Sequence, residues 1–96
     1  MSGKEIFEAV YDDIWSRHGP LPHDENSPSI LRVVDSMDTF QKSTLYDLLE
    51  AVVDPENYIL TEDKKKIIRI TRDTMTPDQQ TVLYGFIGYA QAMFAH

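Results

Sequence analysis

The chain has 96 residues, 42% of them hydrophobic and 10% aromatic, no cysteine, and a formal net charge of −7. That length supports one domain, 1–96, with one modest core, and the composition belongs to a folded chain. Without thiols there is no disulfide framework, no thiolate zinc site and no cysteine catalysis, which points to a reducing, cytoplasmic setting.

The charge is unevenly spread. Residues 1–58 carry four basic and twelve acidic side chains, whereas residues 59–96 carry five basic and four acidic, and all five of those bases lie in 64–72. An acidic body argues against general nucleic-acid binding, because a polyanion would be repelled. The opening Met1-Ser2-Gly3-Lys4-Glu5 does not have the pattern of a secretory signal. The apolar run at 82–95 is 14 residues, short of the ~20 that cross a bilayer, so no membrane association is expected.

The first helix is predicted from Gly3 to about Arg17. Ser2 and Glu5 form a capping box. Ile6, Phe7, Val10, Tyr11 and Ile14 share one face with Trp15 at its edge, and Glu5, Glu8 and Asp12 line another at i, i+3, i+7, with Asp13 towards the apolar edge. His18-Gly19-Pro20 ends it, and residues 19–27 read as a loop. Ser27-Pro28 opens a short second helix with Ile30, Leu31, Val34 and Met37 on its core side. Asp38 and Gln41 are a box-like start to a third helix, whose stripe is Leu45, Leu48, Leu49 and Val52 and whose stop is Asp54-Pro55.

Residues 57–75 admit two readings. Thr61 followed by Glu62, Asp63 and then lysines suits a capped helix with charges matched to its dipole. Three isoleucines within 67–70 suit a β-hairpin over 57–71. The helix is preferred. Thr76-Pro77-Asp78-Gln79 then starts a final helix with a cap, a proline at the first position and glutamine at the third. After Asp78 its only side chain able to carry charge is His96. Val82, Leu83, Phe86, Ile87, Ala90, Met93 and Phe94 fill one side of it, and Gly85, Gly88, Ala92 and Ala95 make the other small. Such a helix is expected to be buried on most sides, as a central post. The fold class is therefore all-α: a compact bundle of about five helices, two of them short.

No catalytic or cofactor signature is present. His18 and His23 match no zinc spacing and lie in or beside a Gly/Pro loop, where the plain reading is a solvated histidine. There is no nucleophile elbow, no phosphate loop and no serine or lysine with an activating partner. Gly85 and Gly88 sit inside a helix, not after a strand. The chain is expected to be non-enzymatic and to need no cofactor or metal.

Three surface features remain. The first is the acidic face Glu5, Glu8, Asp12 and Asp13 with Trp15, continued by Asp24, Glu25, Asp47 and Glu50, which suits a basic partner. The second is Tyr84, Gly85, Gly88 and Ala92 on the last helix, where glycine costs about 1 kcal/mol relative to alanine and close packing is expected, against the first helix or a second copy. The third is the basic stripe Lys65, Arg69 and Arg72, whose plain reading is a charged face balancing its acidic neighbours.

The leading expectation is a small acidic protein-binding module, of the kind phages or plasmids use as inhibitors, docking on a basic, nucleic-acid-handling protein. Its rivals are a homo-oligomeric scaffold joined through the last helix and a small nucleotide or RNA binder using 64–72. In size and charge alone the chain is similar to nuclease-immunity proteins and phage-borne inhibitors of host defence, a likeness that carries no residue across.

Overall fold

A computed structural model describes residues 2–18 and 30–94. The described residues form five helices and no strand: α1 (Gly3–His18), α2 (Ile30–Asp35), α3 (Thr39–Val53), α4 (Glu62–Asp73) and α5 (Pro77–Phe94). The loop reading at 19–27, with His23, Asp24 and Glu25, the Ser27-Pro28 cap, Ala95 and His96 lie outside the described residues, as does the side chain of His18.

The helix starts follow their local chemistry. Asp38 and Gln41 make a reciprocal capping box at the head of α3, Gln41 N–H to Asp38 Oδ1 at 2.8 Å and Asp38 N–H to Gln41 Oε1 at 3.0 Å. Thr76 and Gln79 repeat the box at α5. The two boxes are joined: Gln41 Nε2 donates to Gln79 Oε1 at 3.4 Å, and both glutamines are buried. One amide pair thus satisfies two helix N-termini and ties them together.

The 57–71 hairpin reading gives way to α4. Thr61 Oγ1 accepts the Lys64 amide at 3.2 Å, and Glu62 and Asp63 occupy the first turn. The cap and the dipole-matched charges outweigh the strand propensity of the isoleucines. Only Ile68 of the three is buried.

The core is built from Ile6, Val10 and Ile14 of α1, Leu45 and Leu49 of α3, and Val82, Leu83, Phe86 and Ala90 of α5, with Leu31, Val33, Val34, Met37 and Met75 closing it. Phe7 joins three helices through its ring contacts with Tyr46 (5.1 Å), Phe86 (5.5 Å) and Tyr11 (5.8 Å). At the head of α1 the Glu5 amide donates to Ser2 Oγ at 3.2 Å, while the Gly3 amide donates to Glu50 Oε1 of α3 at 2.7 Å.

The centre is shared. α5 packs on α1, α2 and α3, and α3 packs on α1, α4 and α5. The molecule measures 41 × 32 × 17 Å. Helix axes pack 8–10 Å apart, so the shortest dimension holds two layers of helices and no more. A helix in a two-layer molecule keeps one face open to solvent. For that reason α5 buries the arc Gln79, Val82, Leu83, Phe86 and Ala90 and leaves Thr81, Tyr84, Gly85, Gly88, Gln91 and Ala92 exposed, so it is not enclosed on most sides.

Candidate functional site

The outer face of α1 gathers four of the five residues expected there. Glu5, Glu8, Asp12 and Trp15 are all exposed and recur at i, i+3, i+7 and i+10, one continuous stripe. Trp15 keeps half of its surface in solvent. None of the three carboxylates has an ion-pair partner among the described residues.

Asp13 is placed elsewhere. Its carboxylate accepts from Arg17 Nε at 2.9 Å and from the Tyr89 hydroxyl of α5. The hydrogen bond to Asp13, with burial second, raises the Tyr89 pKa above the ordinary value, so the phenol stays a neutral donor. Asp13, Arg17, Tyr89, Ala92 and Met93 line an open cleft of about 270 Å³. Its one carboxylate already serves a guanidinium and a phenol, which makes the cleft a clasp between α1 and α5.

The acidic continuation on α3 is likewise occupied. Glu50 caps Gly3, and Asp47 Oδ1 accepts from the Tyr58 hydroxyl at 2.7 Å, which in turn accepts from Lys64 Nζ at 2.7 Å. The Tyr58 hydrogen bond and the nearby Asp47 raise the Lys64 pKa. At Tyr58 the Lys64 bond pulls the phenol down, yet burial and Asp47 outweigh it and its pKa ends above the usual value. This relay pins α4 to α3. Spacing places Asp13 near the apolar edge with Arg17 one turn away, but the Tyr89, Gly3 and Tyr58 partners lie 11 to 76 positions off, beyond any local charge pattern.

The basic stripe is divided. Arg72 is half-buried and donates from Nη1 to the Tyr84 hydroxyl at 3.2 Å, and Lys65 lies 3.5 Å from Glu62. Arg69 is exposed, as is Lys66. On α5, a methyl group added at Gly85 would touch only Ile30, at 3.9 Å, and one added at Gly88 would meet nothing within 4 Å. The first helix of the same chain therefore does not pack on Gly88. Tyr84 is 54% exposed.

Among the described residues no three His, Asp or Glu side chains converge where they could hold a metal ion. No described helix is long and apolar enough to cross a membrane. Compared with protein-family models, curated proteins and solved structures, the chain matches none.

Proposed function

We propose that this chain is a small acidic protein-binding module that docks the outer face of α1 on a basic surface of a larger, nucleic-acid-handling protein and inhibits it by occupying that surface. The observation that supports this is the stripe Glu5, Glu8, Asp12 and Trp15: three unpaired carboxylates beside a half-exposed indole on one rigid helix. The carboxylates speed encounter with a positive patch, and the indole supplies the buried anchor that such interfaces centre on. Three charges over seven helical rises, about 10 Å, are far sparser than the one charge per ~1.7 Å of a DNA duplex. The face therefore acts as a charged rim around an aromatic anchor, not as a copy of a phosphate backbone.

Pull-down from the native host with wild-type protein should recover a basic partner. Glu8→Lys with Asp12→Lys should abolish capture, and Trp15→Ala should weaken it by at least tenfold while the helical content stays unchanged. Capture that survives the double reversal would remove this reading.

A second reading is favoured by one observation, the open α5 face at Gly88 beside exposed Tyr84. Small residues let helix backbones approach closely, so this face suits an isologous contact with a second copy. Solution mass decides it: a dimer that Gly88→Leu splits supports the reading, and a monomer unaffected by that change removes it.

A further inference from the structure

α4 leaves a surface that the fold does not use. Ile67 and Ile70 are 60% and 59% exposed and stand one turn apart. Lys66 and Arg69 flank them, both exposed and neither with an ion-pair partner among the described residues. Asp63 and Asp73 mark its two ends. Singly scattered aliphatics on a surface need no explanation, but two β-branched residues with two unpaired cations along one edge, on a chain of net charge −7, form a defined apolar face with a basic edge.

The complementary surface is on the same molecule. Glu8, Asp12 and Trp15 of α1 combine unpaired carboxylates with a large exposed apolar ring. α1 and α4 each pack on α3, and any direct contact between α1 and α4 is slight.

We propose that the α4 face docks α1 of a second copy, with Lys66 and Arg69 against Glu8 and Asp12, and Trp15 laid over Ile67 and Ile70. The proposal rests on the reading of the α1 stripe as a docking face and names a rival occupant for it: self-association and capture of a basic partner exclude one another. The two surfaces differ, so the contact is heterologous and leaves an unused α1 and an unused α4 at the ends of each assembly. Two single-helix faces bury less than the ~800 Å² per partner of a standard interface, so the contact is weak. Copies of charge −7 repel one another over long range. At about 0.15 M ionic strength the Debye length of ~8 Å is well under the molecular width of 32 Å, so the long-range repulsion is screened while pairs in contact persist.

Sedimentation of the purified chain at about 0.15 M salt, up to the ~1 mM range of weak complexes, tests this. The weight-average mass is expected to rise with concentration. Lys66→Glu with Arg69→Glu should hold it at the monomer value, as should Glu8→Lys with Asp12→Lys. An equimolar mixture of those two variants pairs opposite charges again and should restore the rise. Gly88→Leu should leave it unchanged. A wild type that stays monomeric, association that either reversal leaves intact, or a mixture that fails to recover overturns the proposal. The Lys66/Arg69 variant also separates the two readings: it should still capture the basic partner, so lost capture by α1 variants and lost self-association are scored independently.

Discussion

Gly3 shows how much a single atom decides. A methyl group at that position would sit 2.0 Å from the Tyr46 carbonyl oxygen, a backbone atom that cannot turn aside. Gly3→Ala is expected to lower stability by about 1–3 kcal/mol, read as a shift in the urea midpoint, because the α1 start must lift off α3. Tyr89→Phe removes the clasp to Asp13 and should lower the urea midpoint, with α1 and α5 both still helical by circular dichroism. The phenols also set the alkaline limit. Tyr11 and Tyr46 are raised chiefly by burial, Tyr89 chiefly by its bond to Asp13, and Tyr58 and Lys64 end above their usual values too. Each binds its proton more tightly in the folded chain than in the unfolded one. Their contribution is therefore complete below the ordinary tyrosine value of about 10 and disappears as pH rises through the folded values. Urea midpoints should hold up to about pH 9 and fall beyond about pH 10, and a midpoint that rises there would contradict these directions.

Helices differ in how far their own residues explain them. The starts of α3 and α5 were legible: their caps, first-turn proline and glutamines agree with the structure, whereas on α5 the expected apolar side includes Met93, which stays exposed. α4 was legible as a capped helix, and its 3.6-residue period groups Ile67, Ile68, Thr71 and Met75 and leaves Ile70 off that face; Ile68 and Met75 are buried and Ile70 exposed, but Ile67, at the edge of the face, stays out. On α5 the open position of Gly88 has a measurable consequence for the monomer. Gly88→Ala adds a methyl group into empty space and removes backbone entropy from the unfolded chain, so it should raise stability by about 1 kcal/mol. A thermal midpoint that falls at low concentration would mean that the position is covered.

At the scale of the whole molecule, a shape of 41 × 32 × 17 Å gives every helix an outer face. That of α1 is acidic, that of α4 carries most of the chain's cations, and that of α5 bears a formal charge only at Asp78. Capture of a basic partner by α1 should therefore quicken as ionic strength falls, with the dissociation rate much less affected, since steering acts before contact. Stopped-flow mixing at about 0.05 M and 0.3 M salt would show the association rate slowing several-fold between them, and equal rates would mean that the carboxylates do not steer.

The sequence by itself determined the starts of α3, α4 and α5, a preference for the all-α class, most of the apolar stripes and the uneven charge, because each depends on residues within one or two turns. Tertiary structure alone decided which acids are free. Spacing sets Asp13 towards the apolar edge of α1 with Arg17 one turn on, but the phenol on Asp13, the lysine relay on Asp47 and the helix start on Glu50 all come from distant positions. It also decided that α5 keeps an open side, since coverage depends on how many layers the chain can stack, and the local pattern of a helix does not contain that number.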